Sequence, residues 1–477
     1  MRGAKARFSA TLLAMTLALA GCSSLANLIG TTSGNPVGQA GNVKGFLGGV
    51  VADEPQAALV GRRVLSAGGN AADAVAAMGF TLAVTLPSRA GLGSGGACLA
   101  YDPRRSGPGG GAPEAVLFNA VAPAAPGSAD RPAGVPMLAR GLFALQARYG
   151  SRPMEELIVS AEQFARFGVP VSRALLRDLT VVAGPLSADP ASQAVFFPAG
   201  RPLAEGAILV QPELGGTLAQ LRLAGVGDLY QGLVAHRLED GMKQAGGGLT
   251  VADMRAALPR FEPSLQQPAP NDDVVAFLPA PEAGGVATAA ALQILARDPN
   301  ALQQAAERAA AVAARFRQGG VTAQSLLSEA GSTSGASPSL GALPASTTFG
   351  AIDRDGGAVM CGVSMGNLFG TGRIAPGTGI LLGASPARVP APLLAVTMLY
   401  NPTAQAFHGM AGGSGQAAAP LAAAVGLVTA MTGKLPPEPP EPGRANVIAC
   451  RAYLPPNASS CAWAVDPRSY GLAAGSN

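Results

Sequence analysis

Histidine is nearly missing from this chain, with two among 477 residues. That leaves too little material for a histidine-built metal site or a Ser-His-Asp triad. Charge is scarce as well: Asp, Glu, Lys and Arg make up 13% of the residues, and the formal net charge is only +4. So small a surplus, with no basic cluster, argues against a nucleic-acid surface. One Trp, six Tyr and fifteen Phe offer few stacking platforms. The five cysteines do not stand at metal-ligand spacings, so no metal is expected. The glycine run Gly91–Gly96 precedes a strand pattern, whereas a dinucleotide fingerprint precedes a helix, so no nucleotide cofactor is expected either.

Glycine and proline are abundant instead, 64 and 40 residues, more than a fifth of the chain. Such a share approaches that of disordered proteins, but 48% hydrophobic residues argue for a packed, loop-rich body. The length allows two or three domains or one large one.

The N-terminus reads as an address. Arg2, Lys5 and Arg7 precede an apolar run from Phe8 to Ala20 that is too short to span a membrane. The run ends Leu19-Ala20-Gly21-Cys22 and is followed by Ser23-Ser24, which resembles a bacterial lipobox. Residues 1–22 are therefore expected to be a lipoprotein signal peptide and lipobox, with the lipid on Cys22. Residues 23–44, rich in Gly, Ser and Asn, read as a flexible tether. The expected location is the periplasmic side of an outer membrane or the cell surface, with the lipid anchor as the sole membrane contact. In that oxidising compartment Cys450 and Cys461, flanking a Pro-Pro-Asn turn, are expected to form a disulfide. Cys98 and Cys361, in apolar stretches, read as small core residues.

Asn70 caps a predicted helix from Ala71 to about Val84, with Asp73 at its third position. That helix is apolar nearly all round and should be buried. Helical patterns follow at 137–149, 154–167, 171–183, 216–224, 232–245, 283–296 and 301–317. From Ser325 to Ala345 the composition turns to Ser, Gly, Ala and Pro, the mark of an exposed linker. Beyond it the pattern turns to β. Thr347–Ile352 and Ala358–Met365 form a predicted hairpin around Asp353-Arg354-Asp355-Gly356-Gly357. Strands at Leu393–Leu399 and Ala406–Met410 and a helix at Ala417–Met431 complete the reading.

Several of these segments together resemble the γ-glutamyltransferase family. They are Ser66-Ala67-Gly68-Gly69-Asn70-Ala71-Ala72-Asp73-Ala74, the Gly91–Gly96 run, Val210-Gln211-Pro212-Glu213-Leu214, Phe369-Gly370-Thr371-Gly372, Ala375–Leu382, Ala411-Gly412-Gly413-Ser414 and the ending from Asp466. Each is weak alone; their order and spacing, over roughly residues 45–477, carry the resemblance. It implies an N-terminal nucleophile hydrolase: an α+β fold built as a four-layer αββα sandwich, cut once by itself. Residues 45–345 would then be a large-subunit-like region ending in the linker, and residues 346–477 a small-subunit-like region that stays associated with it.

The resemblance also implies the chemistry. A hydroxyl is a poor nucleophile, but a free α-amine on the same residue, with a pKa of roughly 7.7–8.0, can take its proton. Backbone N–H groups then hold the oxyanion. Aligned without gaps, the family's nucleophile falls on Ser346; a one-residue slip would place it on Thr347. Thr348 stands where the family has His. Ser364 falls on a Thr that hydrogen-bonds the nucleophile, and Gly412 and Gly413 fall on the oxyanion-hole glycines.

The donor pocket departs from the family. Asn119 replaces the Arg that binds the donor's α-carboxylate, and Arg388 replaces the Asp that binds its α-amine. Pro392-Leu393 stands for a Ser pair, and Gly366, beside Asn367, stands for an Asn. Losing one partner of a buried charge pair costs about 2–5 kcal/mol. Two readings follow. One is a self-processing amidase or transferase acting on a small-molecule amide with an altered acyl donor, in which Arg388 meets a carboxylate. The other is a non-catalytic lipoprotein that keeps the fold as a binding or scaffold module.

Overall fold

Most strands of this chain form two antiparallel sheets that share one apolar filling. The computed structural model describes residues 45–105, 111–125, 127–244, 247–329, 345–433 and 438–476. Cys22, the signal and tether segments and linker residues 330–344 lie outside the described residues. In chain order the strands of the two sheets are β1 (Gly48–Ala52), β2 (Gly95–Tyr101), β3 (Glu114–Phe118), β4 (Arg260–Pro263), β5 (Leu265–Pro268) and β6 (Val274–Phe277). They continue with β7 (Ser346–Asp353), β8 (Ala358–Ser364), β9 (Ala395–Asn401), β10 (Ala406–Ser414), β11 (Arg444–Leu454), β12 (Cys461–Val465) and β13 (Leu472–Ser476). The first sheet runs β13-β1-β7-β8-β2-β3-β4, and the second β12-β11-β10-β9-β6-β5.

The period of two separates the layers. On β2, Cys98 and Ala100 face the helices, while Ala97, Leu99 and Tyr101 join the core between the sheets. On β7, Phe349 and Ala351 face the helices and Ile352 faces the second sheet. Ser346 and Thr348 share the parity of Ile352 and therefore stand on the inter-sheet face.

Helices cover both outer faces. On the first sheet lie α1 (Pro55–Ser66), α2 (Ala71–Thr85) and α3 (Leu138–Tyr149), with α4 (Met154–Phe167) packed on α2. On the second lie α5 (Ala283–Leu295), α6 (Leu302–Gln318) and α7 (Ala419–Thr432). The result is a helix–sheet–sheet–helix sandwich. Every residue of α2 is buried, and Asn70 and Asp73 form the expected capping box. The Asp73 carboxylate also accepts the N–H groups of Ser151 and Arg152, at 2.9 and 3.1 Å. One short motif thus starts α2 and ties it to the turn before α4.

Three features differ from the sequence reading. Ala323–Ser328, overlapping the start of the expected linker, forms a helical turn capped by Thr322. Three strands follow α7 where none was placed; the last, β13, returns to pair with β1. Cys98 and Cys361, read as separate core residues, sit opposite each other on β2 and β8 and are joined in a disulfide. Cys450 and Cys461 are joined across β11 and β12.

Candidate active site

β7 starts at Ser346, immediately after buried Ala345 and the linker. In register, Ser346 lies opposite Ser364 on β8, and Ser364 lies opposite Gly95 on β2. Both serines are 3% exposed. The N–H of Gly415 donates to Ser346 Oγ at 3.2 Å. Gly415 follows β10 with φ +108°, and a Cβ there would stand 2.4 Å from the Pro442 carbonyl oxygen. Glycine is what allows this amide to face the serine. The N–H of Gly366 donates to Ser364 Oγ at 3.0 Å.

Thr347 and Thr348 have other partners. Thr347 is fully buried and donates its hydroxyl to Asp53 Oδ2 at 2.8 Å. Asn446 on β11 donates from Nδ2 to Asp53 Oδ1 at 2.9 Å, to the Thr348 carbonyl at 2.9 Å and to Thr348 Oγ1 at 3.0 Å. Asp53 and Asn446 thereby lock β1, β7 and β11 together directly behind Ser346. Neither residue, nor Gly415, is marked by any local pattern in the chain.

Gly412 and Gly413 lie within β10, between β9 and β11. A Cβ on Gly412 would come 2.8 Å from Thr348 Cβ, and one on Gly413 would come 2.0 Å from the Ala419 carbonyl oxygen. These glycines let the second sheet close on β7 and α7. The backbone amide bonded to Ser346 Oγ is Gly415's.

A small open cavity adjoins Ser364, lined among others by Asn119, Gly366, Pro386, Pro392 and Leu394. Asn119 Nδ2 donates to Glu282 Oε1 at 2.6 Å. Glu282 precedes α5 and is buried. Burial pushes its carboxyl up to about 7, against the opposing pull of the Asn119 hydrogen bond and of Arg317 and Arg260. The sequence reading missed this acid, which is remote in the chain from every motif. Arg388 is exposed on the turn after Ser385 and is not part of the cavity wall. Among the described residues no group of three or more His, Cys, Asp or Glu is placed to hold a metal ion.

Comparison with known proteins bears on the family and the fold. A family model described as Gamma-glutamyltranspeptidase matches residues 57–318. The chain is 31% identical over 264 residues to a Glutathione hydrolase proenzyme of Bacillus subtilis, covering 52% of this chain and 44% of that protein. It is 29% identical over 394 residues to the Glutathione hydrolase proenzyme of Escherichia coli, covering 71% of this chain and 66% of that one. The chain thus spans less than half the length of the first relative. Among solved structures, the cephalosporin acylase from Bacillus halodurans superposes with a TM-score of 0.72 at 18% identity, covering 94% of this chain and 99% of that one. That likeness shows the fold, an α+β sandwich of two sheets between helical layers.

Proposed function

The chain belongs to the gamma-glutamyltranspeptidase family, and from that premise we propose that it is a self-processing amide hydrolase or acyltransferase whose nucleophile is Ser346. One observation carries the assignment. Within Ser346-Thr347-Thr348, only Ser346 combines the first position of β7, the inter-sheet face and a hydroxyl held by a backbone N–H next to Ser364. The neighbouring threonine hydroxyls are engaged by Asp53 and Asn446.

In the processing step, Ser346 Oγ attacks the Ala345 carbonyl carbon. The C–N bond breaks, the hydroxyl proton ends on the Ser346 nitrogen, and an ester joins the two residues. Water hydrolyses that ester, leaving a carboxylate on Ala345 and a free amine and hydroxyl on Ser346. The amine, neutral in useful fraction near pH 8, then takes the Oγ proton as Oγ attacks a substrate amide. Backbone N–H groups hold the developing oxyanion, the amine returns the proton to the leaving nitrogen, and water or an acceptor amine releases the acyl group.

The same proposal places the protein outside the cytoplasm on a lipid at Cys22. Its support is the pair of disulfides, Cys98–Cys361 and Cys450–Cys461, which persist in oxidising compartments. Incorporation of labelled palmitate, lost in Cys22→Ala, tests the anchor.

Intact mass and N-terminal sequencing of purified protein, beside Ser346→Ala, test the nucleophile. Two fragments with a new N-terminus at Ser346, absent from the variant, are expected. A new N-terminus at Thr347 moves the nucleophile by one residue. A single uncut chain replaces the catalytic reading with that of a binding or scaffold module.

A further inference from the structure

The bond to be cut, Ala345–Ser346, is held by backbone amides at both of its reacting oxygens. Ser346 Oγ receives the Gly415 N–H at 3.2 Å, from the turn after β10 of the second sheet. The carbonyl oxygen of Ala345 receives a different amide, the Met365 N–H, also at 3.2 Å. Met365 is the first residue after β8 of the first sheet. Its bond carries the β7–β8 ladder one step beyond the Ser346–Ser364 pair. The attacking oxygen and the oxygen of the carbonyl it attacks are thus met by separate donors, placed at the ends of strands in different sheets.

The Met365 amide has little freedom to turn away. Met365 is 1% exposed, and Ala345 is fully buried. The Met365 carbonyl oxygen accepts the Ala384 N–H at 2.9 Å. The Met365 side chain lies in the helix-side core, where a Cβ on Gly91 would come 3.2 Å from its sulfur. The next residue, Gly366, turns the chain at φ +77° and closes its own N–H on Ser364 Oγ at 3.0 Å. A donor fixed in this way before reaction needs no reorganisation when charge appears.

Attack on Ala345 changes what the contact is worth. The Ser346 hydroxyl is covalently tied to the carbonyl it attacks, so the step closes a ring and needs no encounter. As the Oγ–C bond forms, the carbonyl π pair moves onto the Ala345 oxygen, and the Met365 N–H then faces an oxyanion. When the C–N bond breaks, that pair returns to the carbonyl and the hydroxyl proton ends on the Ser346 nitrogen. A separation of 3.2 Å stands at the long end of the usual range, and hydrogen bonds to ionised oxygen are shorter and stronger. The contact can therefore tighten as charge develops, which is the condition for speeding a step. Burial strengthens it further.

We infer that the backbone N–H of Met365 is the oxyanion donor of the self-processing step, acting on the Ala345 carbonyl oxygen while the Gly415 N–H holds the attacking hydroxyl. The inference rests on the reading of Ser346 as the self-processing nucleophile. It adds to that reading the group that bears the charge of the cut.

The test removes the N–H and leaves every side chain in place. Met365 is replaced by its α-hydroxy analogue through nonsense suppression in cell-free synthesis, which turns the Ser364–Met365 amide into an ester. The α-hydroxy analogue of Val363, on β8 opposite Thr347, is the backbone control. Met365→Leu keeps the N–H and changes the side chain. Cleavage is followed from the end of synthesis on reducing gels, with N-terminal sequencing of the product. The Met365 ester is expected to slow cleavage by about 100- to 1000-fold, the effect of losing one oxyanion donor, with the new N-terminus still at Ser346. The Val363 ester and Met365→Leu should be cut at the wild-type rate. Both esters should lower the urea midpoint alike, which separates stability from rate. The α-hydroxy analogue of Ala384 frees the Met365 carbonyl and should slow cleavage by up to about 100-fold, the effect of a displacement of about 1 Å. Unchanged cleavage in the Met365 ester, or equal slowing in either control, overturns the inference and leaves Ser346 as the nucleophile. Where the Met365 ester does not fold, unchanged cleavage in the Ala384 ester overturns it. A wild-type chain that is never cut removes the Ser346 reading and the inference together.

Discussion

Thr347 donates its hydroxyl to the buried carboxyl of Asp53 across 2.8 Å, and this contact separates two adjacent residues by role. The strand pleat turns Ser346 toward the second sheet, while the hydroxyl of Thr347 is consumed in joining β7 to the end of β1. In Thr347→Val, Asp53 Oδ2 keeps only the Ser414 hydroxyl, at 3.5 Å. The variant should lose about 2 kcal/mol of stability, as expected for a hydrogen bond to a buried acid. A lower urea midpoint with unchanged slope would register the loss. Its processed fragment should still begin at Ser346.

Gly415 offers a sharper test of how Ser346 Oγ is held. Its φ of +108° and the nearby Pro442 carbonyl oxygen leave no room for a side chain. Gly415→Ala should shift the amide away from Ser346 Oγ and lower kcat by about 100-fold, the effect of misplacing a reacting atom by about 1 Å. Backbone strain should add a stability loss of about 1–3 kcal/mol. Single-turnover kinetics on protein that is folded by circular dichroism separates the two effects.

The disulfide between Cys98 and Cys361 crosses the proposed cut, because one cysteine precedes the linker and the other follows β7. Cys450 and Cys461 both lie after it. Processed protein should therefore run as one covalent species on a denaturing gel without reductant and as two fragments with it. Cys361→Ala should release the fragments without reductant. The bond closes a separation of 263 residues, so its loss should cost about 2–5 kcal/mol.

Glu282 makes stability depend on pH with a definite sign. Its folded-state carboxyl titrates near 7, above the ordinary value of 4.5. Below about 4.5 the group is protonated in both states and exerts no effect. Between about 4.5 and 7 the unfolded chain releases the proton while the folded chain keeps it. Stability therefore falls as pH rises through that window, by about 3 kcal/mol in all. Above about 7 the penalty is constant. Denaturant titrations at pH 4.5 and 7.5 should show wild type losing this amount relative to Glu282→Gln.

Much of the architecture was legible residue by residue. Asn70 and Asp73 announce the start of α2, whose uniform apolarity announces its burial. The turn at 353–357 sets the β7–β8 hairpin, and the Ser-Thr-Thr run marks where β7 begins. Caps, turns and hydrophobic periods are local free-energy preferences, and a stretch of ten or so residues suffices to express them. The return of β13 to β1, the Cys98–Cys361 bond and the meeting of Asp53 with Asn446, 393 residues apart, have no such local signal. Only closure of one sheet on the other brings those groups together. The same closure sets the Gly415 amide against Ser346 and Glu282 behind Asn119. The sequence by itself thus marked the start of α2, the β7–β8 hairpin and the candidate nucleophile; packing between the sheets decided which hydroxyl faces the second sheet and which acid lies behind Asn119.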